Sequence, residues 1–375
     1  MEKVSTENKQ YIIDPVIALS LLLLFIIGET TIISIWIVPS FIDGKFHYFI
    51  LKRILLQLIT FIVGALFAIL IAKYVDYRIF RSAKVIYTLV CISLISLIWV
   101  LAVKIISNDP VNRWLFGSSV QPSEFVKIII VLFASNYITR KGGLYKTVYV
   151  FWAAFIVIAH VLLLYLQPDK GMALFILFVS SVLFFIGGIS KKIYIPILII
   201  FAIIGFFVIS GGGYVEKRIN VWLDPSKDPM DKGYQIIRSL IYFQKGGLLG
   251  QGIGKGVHKE LFLPKLDSDY IFSAIGTEWG FIGAMFVLFL YTLILLRLFL
   301  ISLKLKDIFP KLIVLGLTLN FGLSVIVNIS MTLNLLPPKG IALPLLSYGP
   351  SNLLATMISF GIIGSIYARH KHELK

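Results

Sequence analysis

Val16-Ile-Ala-Leu-Ser-Leu-Leu-Leu-Leu-Phe-Ile-Ile-Gly-Glu-Thr-Thr-Ile-Ile-Ser-Ile-Trp-Ile-Val38 is apolar for long enough to cross the hydrocarbon core of a bilayer as a helix. It is too long for a signal-peptide core and lacks a small-residue cleavage site, so it reads as a retained span. Comparable runs recur along nearly the whole chain. They place spans near 16–38, 51–72, 85–106, 122–139, 147–165, 171–189, 193–210, 271–296, 312–332 and 347–368. The composition agrees: 58% of residues are hydrophobic, 14% are charged, and the mean hydropathy is +0.92. Alternating ten-residue strands are absent from the pattern, which excludes a barrel. The expected architecture is an all-α polytopic membrane protein, one integral domain over 1–375. The single cysteine, Cys91, falls inside an apolar run and reads as a buried, inert thiol.

The net charge of +16 raises the question of a polyanionic partner, and its distribution answers it. With the amino terminus taken as cytoplasmic, Lys73, Arg78, Arg81, Lys84, Arg140, Lys141, Lys191, Lys192, Arg297, Lys304, Lys306 and Arg369 all fall in inner segments. Outside one long loop, the opposite side holds few cations. That asymmetry is the positive-inside rule, and it predicts ten spans with both termini cytoplasmic. The basic excess orients the chain in the membrane; nucleic acid is not expected.

The long loop, 211–270, lies between the seventh and eighth spans, and a connection of that length is usually functional. Ile236, Leu240 and Phe243 have helical spacing, which predicts a short amphipathic helix over Gly233 to Lys245 at or in the interface. Gly246-Gly-Leu-Leu-Gly-Gln-Gly-Ile-Gly-Lys-Gly256 offers two readings: amides that cradle a phosphate, or a loop pressed close to the membrane. No Gly-Lys-Ser/Thr follows, so it is not a P-loop. The loop closes on Leu263-Pro-Lys-Leu-Asp-Ser-Asp269, two residues before an apolar run. Desolvating a carboxylate there costs several kcal/mol unless something pairs with it, which makes Asp269 a candidate for chemistry.

Other ionisable residues sit inside or beside spans. In Gln121-Pro-Ser-Glu-Phe-Val-Lys127, Glu124 and Lys127 share one helix face. They read either as an interhelical salt bridge or as an anion-binding lysine oriented by a glutamate, with Arg113 nearby. Gln167-Pro-Asp-Lys-Gly171 carries Asp169 in ordinary turn chemistry. Arg218, Asp224 and Gln235 add a cation, a carboxylate and an amide in the long loop. Leu336-Pro-Pro-Lys-Gly-Ile-Ala-Leu-Pro-Leu-Leu-Ser-Tyr-Gly349 reads as a re-entrant or kinked segment that puts Lys339 and Ser347 on the outer side. The histidines have no metal-ligand spacing.

Taken in order, these motifs resemble the SEDS family of bacterial cell-wall proteins (FtsW, RodA, SpoVE). The matching stretches are Asp76-Tyr77, Asn112-Arg113-Trp114, Gln121-Pro-Ser-Glu124 with Lys127, and Gln167-Pro-Asp-Lys-Gly171. They continue through Asp224-Pro, Gly233-Tyr-Gln235, Gly246-Gly-Leu-Leu-Gly250, Leu263-Pro, Asp269-Tyr-Ile-Phe272, Pro344 and Ser347-Tyr-Gly349. Gly252-Ile-Gly-Lys-Gly-Val-His-Lys259 and Pro337-Pro-Lys-Gly340 are closer to the division-type FtsW pattern than to RodA. The chain departs from the family where Leu-Pro-Glu-x-His-Thr-Asp-Phe is usual: Lys265 replaces the glutamate, Asp267 the histidine and Ser268 the threonine. A usual Gly-Gly-Ser-Ser becomes Gly349-Pro-Ser-Asn352, and a usual Glu-Glu becomes Thr277-Glu278.

The resemblance implies a peptidoglycan glycosyltransferase that polymerises lipid II during division or elongation at the bacterial inner membrane. Asp269 would deprotonate the acceptor sugar hydroxyl. Lys127, Arg113 and Arg218 would neutralise the departing undecaprenyl pyrophosphate, and Glu124, Gln235, Asp169, Lys339 and Ser347 would line the substrate site. A divalent cation, Mg2+ or Mn2+, held partly by Asp269 or Asp224 is the cofactor to test for. Implied partners are a class B penicillin-binding protein, further divisome or elongasome proteins and membrane lipid. A lipid II flippase and a non-catalytic scaffold are the alternative readings.

Overall fold

The computed structural model describes residues 13–42, 48–107, 113–115, 120–144, 146–196, 199, 214–228, 230–255 and 263–374. Helices account for nearly all of it, and the described residues contain no strand beyond one isolated bridge, Leu115 to Val120. The helices are α1 (Pro15–Ile42), α2 (Tyr48–Tyr74), α3 (Ala83–Ser107), α4 (Pro122–Arg140), α5 (Thr147–Leu166) and α6 (Lys170–Ile186). They continue with α7 (Tyr214–Leu223), α8 (Lys232–Gly246), α9 (Ile271–Glu278), α10 (Gly280–Lys304), α11 (Ile308–Thr332) and α12 (Pro350–Arg369). Seven of them, α1, α2, α3, α5, α10, α11 and α12, are long and apolar enough to cross a membrane, and α6 is a shorter apolar helix. The expected seventh span, 193–210, lies largely outside the described residues.

Two expectations from the sequence need correction. The apolar run at 271–296 is not one helix. It breaks after Glu278, where Gly280 takes the left-handed conformation (φ +68°), and the long helix starts only at Gly280. A hydropathy run cannot locate such a break, because both halves are equally apolar. Cys91 is exposed rather than buried, since α3 turns most of its surface outward and an apolar run does not distinguish a lipid-facing side from a core-facing one.

The helix predicted over Gly233 to Lys245 is present as α8. Its buried face carries Gln235, Ile236, Ser239 and Tyr242, while Leu240, expected on that face, is exposed. Phe243 packs at a tilt against Phe272 of α9, ring centres 5.6 Å apart, and the Thr277 hydroxyl donates to the Tyr242 carbonyl at 2.8 Å.

The bundle has two ends, each tied by polar contacts. At one end Asp14 meets Arg297 at 3.8 Å, Asp76 meets Arg369 at 3.6 Å, Arg81 pairs with Asp307, and the Tyr77 hydroxyl meets His370 at 3.3 Å. The other end gathers the starts of α2, α4, α6, α10 and α12 around the 263–270 turn. α4 runs through the centre, buried from Ser123 to Ile138 on almost every side.

α2 and α12 approach closely because small residues face each other. A β-carbon on Gly361 would stand 2.9 Å from the Ala68 α-carbon and 3.0 Å from its carbonyl oxygen. Gly361→Val therefore overpacks this seam, with an expected loss of about 1–3 kcal/mol that thermal melting in detergent reads as a lowered midpoint. An unchanged midpoint would show that the two helices are not held at this separation.

Candidate active site

Asp269 is aimed by the turn that carries it. Lys265 takes a left-handed backbone (φ +61°), and its carbonyl accepts the amides of Ser268 at 3.2 Å, Asp269 at 3.0 Å and Tyr270 at 3.2 Å. Leu263, Leu266 and Tyr270 anchor the turn in a small apolar cluster with Tyr242, Ala274 and Met331. The Asn328 side-chain amide, on α11, donates to the Asp269 carbonyl at 2.9 Å and to the Ile341 carbonyl at 2.8 Å. One side chain thus joins the Asp269 turn to the non-helical segment 333–349.

That segment is the re-entrant element read from its prolines and glycines, and Ile341, Leu343, Leu345, Leu346 and Ser347 are all buried. Ser347 fastens it: its hydroxyl donates to the Ser268 carbonyl and accepts the Leu343 amide at 2.8 Å. Gln57 of α2 clasps the same place, donating to the Ser347 carbonyl at 3.0 Å and accepting the Gly349 amide at 3.3 Å. With its hydroxyl engaged on both sides, Ser347 acts by positioning the segment.

Gly340 faces the Asp269 carboxylate; a β-carbon there would lie 3.1 Å from Oδ2. The preceding residue, Lys339, abuts Gly171 at the start of α6. Asp169 caps that helix on the Met172 amide and holds Arg113 at 3.6 Å, while Arg113 also donates to the Pro168 carbonyl at 2.8 Å. Asp269, Lys339, Asp169 and Arg113, far apart in sequence, therefore meet at one end of the bundle. Lys265 stands over Asp269, Nζ to Oδ2, at 3.6 Å.

Glu124 and Lys127 form a second compartment. Their ion pair measures 2.8 Å, the Asn352 amide donates to Glu124 at 2.8 Å, and the Asn320 amide donates to the Lys127 carbonyl at 2.9 Å. Lys127 also lies 5.2 Å from the centre of the Phe175 ring. The pair lines a small crevice with Ser324, Pro344, Thr356 and Phe360. The 340–344 segment borders both compartments, Gly340 at Asp269 and Pro344 at the crevice.

The remaining candidates stand apart. Gln235 is buried on α8. Asp224 caps a short turn and is held by Ser226 and, at 3.7 Å, by Lys227; the Ser226 hydroxyl keeps its carboxyl below the usual range. The Arg218 side chain lies outside the described residues. In the described part of the glycine-rich loop, three amides are bonded within the chain. Gln251 and Gly252 give their amides to the Thr277 and Glu278 carbonyls at 2.9 and 3.0 Å, and the Gly254 amide goes to the Ser34 hydroxyl at 3.0 Å. These amides seal the α9–α10 break and are not left over to cradle a phosphate.

Three polar residues inside or at the ends of apolar runs were missed by sequence reasoning, though the rule that found Glu124 and Lys127 finds them too. They are Gln57, Arg53 and Glu29, the last buried with no hydrogen-bond partner for either carboxyl oxygen. Arg53 pairs with Asp267 at 3.7 Å and stacks against Trp36 at 5.2 Å and Tyr348 at 5.3 Å. Burial pushes the Asp267 carboxyl up, and Arg53 opposes that shift.

The cell cycle protein family that comprises FtsW, RodA and SpoVE matches residues 15–372. The chain belongs to this family. A probable peptidoglycan glycosyltransferase FtsW from Geobacter metallireducens is 32% identical over 87% of this chain and 88% of its own length. A protein of the same description from Trichlorobacter lovleyi is 33% identical over 89% and 87%. Stage V sporulation protein E of Bacillus subtilis is 29% identical over 95% and 98%. Among solved structures, a chain of a peptidoglycan synthase complex that coordinates polymerization and crosslinking is 25% identical and superposes with a TM-score of 0.76, covering 96% of this chain and 98% of that one. Thermus thermophilus RodA shares the fold, with a TM-score of 0.66 over the same shares at 24% identity. These likenesses and the long apolar helices make the chain a multi-pass membrane protein.

Asp267 supplies a test of the turn. With its folded-state pKa above the unfolded value, ionising it costs stability as pH rises through the raised range, and Arg53 offsets that cost. Arg53→Gln is expected to lower the melting temperature increasingly from acid towards neutral pH, and Asp267→Asn in that background to remove the pH dependence. Equal destabilisation at every pH would mean that the pair is not electrostatically coupled.

Proposed function

We propose that the chain is a peptidoglycan glycosyltransferase that polymerises lipid II, with Asp269 as the general base. The observation that carries this reading is a partly exposed carboxylate set against a glycine, so that a reacting group has access, with the Lys265 ammonium close by. The acceptor hydroxyl is a poor nucleophile. As its oxygen bonds to the anomeric carbon of the donor, its proton passes to Asp269. The bond from that carbon to the diphosphate oxygen breaks, and its electron pair leaves with the undecaprenyl diphosphate. Attack opposite the leaving group inverts the anomeric centre and needs only this one base. Cations near the site stabilise the charge that develops on the diphosphate.

Among the described residues no three His, Cys, Asp or Glu side chains gather, and Asp224 is engaged by Ser226 and Lys227. A Mg2+ or Mn2+ ion here would be held by Asp269 together with the substrate's phosphate oxygens, and would add to the charge stabilisation that the chain's own cations supply. Ten spans with both termini cytoplasmic, which place Asp269 on the extracytoplasmic side with the sugars of a lipid-linked substrate, are supported by the asymmetry of Lys and Arg. A class B penicillin-binding protein as partner is supported by the likeness to a chain of a synthase complex that couples polymerization to crosslinking.

A positioned base contributes about 10²–10⁴-fold. Asp269→Asn should therefore lower lipid II polymerisation by the purified protein by at least about 100-fold, with membrane insertion and melting temperature retained. Full activity of that variant rules out Asp269 as the base. Lipid II crossing a liposome membrane with no glycan formed would favour transport instead.

A further inference from the structure

We propose that Lys265 is a diphosphate-binding residue of this site, released from Asp269 as that acid takes up the acceptor's proton and passed to the leaving diphosphate. The proposal rests on the reading of Asp269 as the base.

The other described cations near the site are already committed. Lys127 is locked to Glu124 in a pair whose side chains are both under 10% exposed. Arg113 is divided between Asp169 and the Pro168 carbonyl. Arg53 is held by Asp267 between two aromatic rings. Lys339 is not free either. Lys265 differs: its side chain is 62% exposed, and its contact with Asp269 spans 3.6 Å. An ion pair with one solvated member is weakly held, so this ammonium can move without a large loss.

The backbone adds an independent sign. A β-carbon at φ +61° is strained, and that strain is accepted here at a residue whose carbonyl gathers the three amides that aim Asp269. A glycine would serve the turn at lower cost but would bring no charge.

Proton transfer then changes the local balance of charge. Before it, Asp269 is anionic and holds the Lys265 ammonium. Once the acceptor proton sits on Asp269, that attraction is gone, and a new negative charge stands on the diphosphate whose bond to the anomeric carbon has broken. Lys265 keeps all its protons throughout and carries a flexible four-carbon stem that swings between the two anions. The stabilisation therefore arises in the transition state rather than in the bound substrate, which predicts an effect on kcat rather than on KM.

The experiment uses the full chain in detergent with lipid II, comparing wild type with Lys265→Gly, Lys265→Gln and Lys265→Arg. Glycine relieves the backbone and removes the charge; glutamine removes the charge and keeps the strain. Both are expected to lower kcat by roughly 10–100-fold with KM little changed. Arginine should retain most activity. Wild-type kcat in Lys265→Gly overturns the proposal. So does loss in Lys265→Gln alone, which would leave only the turn, or a raised KM with unchanged kcat. If the wild type forms no glycan, the reading of the function fails separately. Calorimetric binding of pyrophosphate in the Asp269→Asn background, whose neutral amide stands for the protonated acid, then still decides: weaker binding when Lys265→Gly is added supports the proposal, and equal binding overturns it.

Discussion

Asn328 donates its side-chain amide to two carbonyls, those of Asp269 and Ile341, and the geometry of the active end depends on that sharing. Seventeen residues of non-helical backbone, 333–349, run between two long apolar helices, and the stretch 341–347 is buried apart from the half-buried Ala342. Buried backbone without a partner costs several kcal/mol per group in an apolar setting, so such a segment persists only where side chains supply the missing bonds. Asn328, Ser347 and Gln57 do so, each from a different element. Because the same groups also bond to the 267–269 turn or to the residues next to Ser347, satisfying the segment and aiming Asp269 are one problem with one solution.

The second requirement is charge. Three acids at this end are matched by cations: Asp169 by Arg113 and Asp267 by Arg53, both distant in sequence, and Glu124 by Lys127 on its own helix. Desolvation makes these pairs obligatory without making them sources of net stability, since a buried pair only partly recovers what removing both ions from water costs. What the pairs secure is register. Arg53 fixes α2 to the 263–270 turn, and Arg113 fixes the residues before α4 to the start of α6.

Much of this was legible in the sequence, for definite reasons. Long apolar runs report span existence, because hydrophobic length is a local property. The Ile236, Leu240, Phe243 spacing reported α8, and Glu124 with Lys127 reported a pair because three residues put both on one helix face. The rest required knowledge of neighbours. The stop at Glu278 is set by the docking of the 246–254 loop onto Gly280, which no periodicity within 271–296 encodes. Cys91 was misplaced because lipid and protein interior accept the same side chains. The meeting of Gly340 with Asp269 joins segments that nothing local in either one links to the other.

Two carboxylate–lysine pairs of nearly the same spacing show how burial divides labour. Glu124 and Lys127 are three residues apart, 2.8 Å across, closed off from solvent and further bonded through Asn352 and Asn320. Opening that pair would strand two charges in a low-dielectric crevice, so it behaves as a fixed dipole that shapes its surroundings. Lys265 and Asp269 are four residues apart and 3.6 Å across, with the lysine in solvent and the acid 17% exposed against a glycine. Separation there exchanges one weak contact for hydration on one side and substrate on the other. The chemistry of the groups is identical; only the cost of parting them differs, and a proton-accepting carboxylate has to be on the side where that cost is small.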